Sequence, residues 1–68
     1  MSGLRYTVQV RNGLRWYTVR TFQPSSDGGF ALADKVAEIG ARQHDKPFRV
    51  LLMPFNVLAV EYNSSPLE

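Results

Sequence analysis

Cysteine is absent from this chain, and so is any acidic residue before Asp27. The first absence removes disulfides and thiolate metal sites as reinforcement, while leaving either redox compartment open to the protein. Histidine occurs once, at His44, so no set of imidazole ligands can be assembled. Long hydrophobic runs are also lacking: the longest, Val50 to Phe55, is broken by Pro54 and far too short to span a bilayer. Met1 to Arg5 carries no apolar signal core. Together these absences lead us to expect a soluble, cytoplasmic protein with no membrane partner.

What is present fits a single small core. With 68 residues and 44% hydrophobic content, the chain is sized for one globular domain over residues 1–63. A core of this size supplies only about 3 to 5 kcal/mol net, which makes a homodimer one expected state. Residues 64–68 are a polar tail whose last pair, Leu67-Glu68, has the look of a cloning scar ahead of a purification tag. The early charge is one-sided: Arg5, Arg11, Arg15 and Arg20 precede every Asp and Glu, so the first hairpin is the basic part.

Turn chemistry divides the chain. Asn12-Gly13 separates two runs rich in Tyr, Val, Thr and Trp, and both residues tolerate the positive φ of a type I′ hairpin turn. Strands are expected from Leu4 to Arg11 and from Leu14 to Phe22. A two-residue loop at Asn12-Gly13 sets Val10 opposite Arg15, Val8 opposite Tyr17 and Tyr6 opposite Val19 on one face. The other face then pairs Arg11 with Leu14, Gln9 with Trp16, Thr7 with Thr18 and Arg5 with Arg20. A three-residue loop with a bulge at Gly13 would instead exchange Trp16 and Tyr17 between faces.

Ser25, Ser26 and Asp27 offer side-chain acceptors to the free N–H groups of a helix beginning near Gly28 or Gly29. Phe30, Ala33 and Ala37, with Leu32, Val36 and Ile39, recur at three- and four-residue intervals and imply one buried stripe. Asp34, Lys35, Glu38 and Arg42 gather on the opposite side, with Glu38 and Arg42 spaced for an i, i+4 pair. The helix runs to about Gln43, with Gly40 as its cap or as a weak point within it. Phe48 to Met53 and Val57 to Tyr62 form a second hairpin around Pro54-Phe55-Asn56, with Asn56 in the left-handed conformation. Met53 is then set against Val57, Leu52 against Leu58, Leu51 beside Ala59, Val50 against Val60, Arg49 against Glu61 and Phe48 against Tyr62.

The fold class is therefore α+β, β-β-α-β-β, a four-stranded antiparallel sheet with one helix packed on one face. The covered face takes Tyr6, Val8, Tyr17, Val19, Val50, Leu52, Leu58 and Val60 against Phe30, Leu32 or Ala33, Val36 and Ile39.

Catalytic constellations are not in view. His44 lies in a polar connector beside Asp45 and Lys46, where a histidine is normally solvated. Asp34 and Glu38 are one turn apart but interleaved with Lys35 and Arg42, the composition of a solvated helix face. Ser25 to Gly29 lacks the Walker lysine and the dinucleotide glycine spacing, so it reads as a helix cap rather than a phosphate cradle. No enzyme activity, cofactor, metal or small-molecule substrate is expected.

The sheet face left open by the helix carries the functional expectation. It brings together Trp16, Arg5, Arg20, Arg49, Arg11, Met53 and Leu51, with Gln9, Thr7, Thr18 and Val57 among them. An aromatic ring among arginines is suited to stacking an unpaired base while neutralising phosphates, so nucleic acid is the favoured partner. Tryptophan and arginine are also favoured anchors in protein interfaces, and an acidic protein surface is the alternative. Arg5 opposite Arg20 would place like charges on neighbouring strands, which an anionic partner would relieve. The RNA-recognition Lys/Arg-Gly-aromatic signature is absent, as is the leading helix of the double-stranded RNA module. In size and layout the chain is similar to small phage and mobile-element proteins that act as inhibitors or adaptors, a likeness of shape that no motif carries.

Overall fold

A computed structural model describes residues 3–24 and 28–63. Along the chain come β1 (Arg5–Asn12), β2 (Arg15–Phe22), α1 (Gly29–His44), β3 (Phe48–Met53) and β4 (Val57–Tyr62). The four strands make one antiparallel sheet in the order β2-β1-β3-β4. Each hairpin thus contributes its leading strand to the centre, and α1 crosses over the middle of the sheet.

The first hairpin turns one residue later than Asn12-Gly13, which moves every cross-strand partner by two. Asn12 pairs with Arg15, Arg11 with Trp16 and Val10 with Tyr17, leaving Gly13-Leu14 as the loop. Gly13 takes positive φ, at 71°, and Leu14 does not, the glycine-first pattern of a II′ turn. Asn12 stays in the strand, where its side chain accepts a hydrogen bond from Lys46 Nζ at 3.5 Å. A shift of two residues preserves side-chain parity, so Trp16 keeps the face expected of it.

A bulge then reverses the parity of the remainder of β2. Gln9 pairs with Thr18 but Val8 pairs with Arg20, so Val19 is an extra residue in this strand. Arg20 is thereby carried to the helix side, opposite buried Val8 and with its guanidinium 5.4 Å from the Phe22 ring centroid. The expected pairing of Arg5 with Arg20 does not occur: Arg5 lies opposite Met53, in β3.

The second hairpin behaves similarly. Phe48–Tyr62, Arg49–Glu61 and Val50–Val60 pair as expected, after which Leu51 meets Leu58 and Leu52 meets Val57, with Ala59 extra in β4. Leu58 therefore joins the open face, and Val57 moves to the helix side. Asn56 adopts the expected left-handed conformation, with φ of 58°.

The helix presents its smallest residues to the sheet. Gly29, Ala33, Ala37 and Ala41 recur every four residues and are buried, the three alanines in one cluster with Val8, Phe48 and Val50 and Gly29 against the Gln23–Pro24 backbone. Close approach along this stripe displaces the larger apolar residues to the flanks. Phe30, Leu32 and Ile39 are each about two-fifths exposed, and on β2 Tyr17 and Val19 are exposed as well. The core is accordingly narrower than the one expected, and Tyr6, Val10, Phe22, Val36, Val60 and Tyr62 border it. Gly40 is inside the helix, under Phe48, and the chain reverses at Asp45, whose φ is 55°. The expected Ser25, Ser26 and Asp27 cap lies outside the described residues. Among the described residues no helix is long and apolar enough to cross a membrane.

Candidate functional site on the open sheet face

Strand alternation and the register place Arg5, Thr7, Gln9 and Arg11 of β1 on the face away from the helix. Beside them stand Trp16 and Thr18 of β2, Arg49, Leu51 and Met53 of β3, and Leu58 and Glu61 of β4. Six of the seven expected contact residues therefore share this face, and Arg20 is the exception.

Across three strands a chain of side-chain contacts fixes the aromatic end. Arg49 Nε donates to Gln9 Oε1 at 2.9 Å, and Gln9 Nε2 donates to Thr18 Oγ1 at 3.5 Å. Held in this way, the Arg49 guanidinium lies 4.1 Å from the centroid of the Trp16 ring, within cation–π range. Arg49 thus turns towards the indole although Glu61 is its register partner; the one ion pair among the described residues is Arg42–Glu38, at 3.0 Å on the helix. Arg11 is the direct partner of Trp16, and its Nε donates to Gly13 O at 3.0 Å, which keeps its charge at the turn. Trp16 remains partly accessible, and Arg11 is exposed.

The opposite end of the face differs in character. Arg5 stands there beside Met53, and six residues of extended strand put it about 20 Å from Arg11. Met53 is partly accessible, Leu58 is half-exposed, and the adjoining turn projects Phe55, 67% exposed. Between the two ends Thr7 and Leu51 face each other in the central strands, each only 4% accessible. Leu51 consequently forms the floor of the face and offers no contact area. The site divides into a basic, aromatic end at the first hairpin turn and an apolar end at the second.

Sequence reasoning missed the role of Gln9 and the displacement of Arg20. Gln9 carried a usable signal, being a polar residue central to a strand with Trp and Arg as neighbours. Arg20 carried none, because a bulge leaves no mark in composition.

Elsewhere, the Tyr62 hydroxyl donates a hydrogen bond to Asp34 Oδ1, joining β4 to the helix. This bond to a carboxylate, with desolvation and the negative charges of Asp34 and Glu38, pushes the Tyr62 pKa up to about 12. Among the described residues no three His, Cys, Asp or Glu side chains gather as a metal site. No protein-family model, curated protein or solved structure matches the chain.

Proposed function

We propose that this chain is a cytoplasmic, non-enzymatic binding module that docks nucleic acid through the open sheet face. The observation that carries the reading is the Trp16–Arg49 stack, with a guanidinium 4.1 Å from the ring centroid and Arg11 opposite the indole. A partly accessible indole beside two cations offers a ring on which an unpaired base can stack and counter-charge for its phosphates. Gln9 orients Arg49, so the cation meets a ligand without first losing rotamer freedom.

Fluorescence anisotropy with a labelled single-stranded oligonucleotide, repeated across a salt series, tests this reading. Affinity should fall steeply with added salt, and Trp16→Ala should weaken binding by about 1 to 3 kcal/mol, the range for a lost base stack. Salt-independent binding, or binding indifferent to Trp16, would overturn it.

The apolar end supports a second reading, an inhibitor or adaptor of the phage and mobile-element kind that grips an acidic protein surface. Met53, Leu58 and Phe55 offer contact area that nucleic acid does not require. On this reading Met53→Ala and Trp16→Ala weaken partner binding more than removal of any single arginine. Equal small losses at all these positions would dismiss it.

A further inference from the structure

The helix side of the sheet holds a second accessible surface, independent of the open face. Two adjoining hollows, of about 250 Å³ and 200 Å³, flank the second half of α1, the first between the helix and Phe48 of β3 and the second reaching Val10 of β1 and Val19 of β2. The first is walled by Val36, Ile39 and Gly40, the second by Val10 and Val19. His44 and Phe48 line both, their rings stacked with centroids 6.1 Å apart, so the hollows form one groove with a shared partition. Its apolar rim is open to solvent, with Ile39 42% and Val19 44% exposed.

The charged side chains that line the groove have one sign. Lys35 lines the first hollow and Lys46 the second, and among the described residues no carboxylate lines either. Arg15 and Arg20 project from the same side of β2, opposite Asn12 and Val8. The described acids do not line it, although Asp45 stands in sequence between His44 and Lys46, which do. Asp34 and Glu38 stand with Tyr62 on the flank towards β4, Asp45 closes the helix, and Glu61 is on the open face.

We infer that this groove docks an acidic, amphipathic segment of another protein, seating two apolar side chains in the hollows while its carboxylates meet Lys35 and Lys46. The two hollows are open to solvent and parted by the His44 and Phe48 rings, which suits two separate side chains rather than one compact ligand. A second copy of this chain is a poor occupant. Twofold pairing of the surface would bring the cations Arg15, Arg20, Lys35 and Lys46 of one copy against the same basic surface of the other, and like charges facing each other oppose association. A segment bearing carboxylates beside apolar anchors complements both the charge and the shape.

The test uses the full chain and synthetic peptide probes. One peptide carries two leucines at helical spacing flanked by glutamates; one carries them at strand spacing; matched controls replace every glutamate by lysine, or every leucine by serine. We expect at least one glutamate–leucine peptide to bind and both controls to bind at least tenfold more weakly. NMR shift changes should centre on Val19, Val36, Ile39 and Phe48. Lys35→Glu should weaken binding at least tenfold, as should Ile39→Ser, while Arg11→Ala leaves it unchanged. Lys35 is exposed, so its reversal tests the proposal even where Ile39→Ser disturbs folding. Equal binding by the lysine peptide, shift changes confined to the Trp16 face, or no binding by either glutamate–leucine peptide would overturn the inference. None of these outcomes bears on oligonucleotide binding at the open face.

Discussion

Gly40 lies directly under the ring of Phe48: a β-carbon at this position would stand 2.6 Å from Phe48 Cε2 and 2.7 Å from Cζ. The ring is itself 4% accessible and has little space in which to retreat. Gly40→Ala should therefore destabilise the fold by about 1 to 2 kcal/mol, overpacking outweighing the ~1 kcal/mol by which alanine favours a helix. Urea unfolding measures it, and a raised midpoint would contradict the packing described.

Tyr62 links stability to alkaline pH. Its pKa is raised from 10.0 to about 12 by the hydrogen bond to Asp34, by burial and by nearby carboxylates. The folded state thus holds the phenolic proton more tightly than the unfolded chain does. The stabilisation is complete below pH 10 and is lost as pH rises towards 12. Urea midpoints measured across that window should fall for the parent chain, and Tyr62→Phe should remove that component of the slope.

Thr7 Oγ1 is buried without a hydrogen-bond partner, in the middle of the open face. An unsatisfied buried hydroxyl costs about 1 to 3 kcal/mol, and valine has nearly the same shape with higher strand preference. Thr7→Val should raise the thermal midpoint; an unchanged or lowered value would mean that the hydroxyl is satisfied in solution.

Asp45 takes the left-handed conformation, φ 55°, at the carboxyl end of the helix, and its N–H bonds Ala41 O at 3.1 Å. Glycine adopts that backbone without strain and removes an anion from the negative end of the helix dipole. Asp45→Gly should stabilise the protein by about 0.5 to 1 kcal/mol in urea unfolding.

The displacement of Arg20 separates two arginines that look alike in sequence. Arg49 is stacked on Trp16, whereas Arg20 is over Phe22 on the other side of the sheet. In oligonucleotide titrations Arg49→Ala should weaken binding and reduce the salt slope by about one, while Arg20→Ala should do neither. Equal losses would place the docking surface elsewhere.

Much of the architecture could be read from local chemistry. Gly13 and Asn56 marked the reversals, and the three- and four-residue spacing of apolar residues marked α1, because both signals act over a few neighbouring residues. The face of Trp16 was legible even though its partner was not: sliding a hairpin by two residues changes every pair but no side chain's direction. Val19 and Ala59 could not be found in this way. A bulge depends on how an entire strand fits its neighbour and the helix above, and valine or alanine serves equally well in a regular ladder. The buried stripe of α1 was legible only in part, Ala33 and Ala37 standing in the expected one together with Phe30, Leu32 and Ile39, which lie at its exposed flanks. Hydrophobicity ranks Leu32 and Ile39 above Ala33 and Ala37, yet the approach distance between helix and sheet decides which of them lies at the contact.

Those two unpaired residues have a consequence for how these molecules coexist in a crowded solution. Val19 and Ala59 occupy the two outer strands, which among the described residues have a strand on one side alone. An incoming chain that began to zip along either border would lose step at the kink, before a long ladder could form. A molecule composed largely of valine, threonine and aromatic strands thereby limits its own tendency to polymerise into fibrils, with no proline or lysine at either interruption.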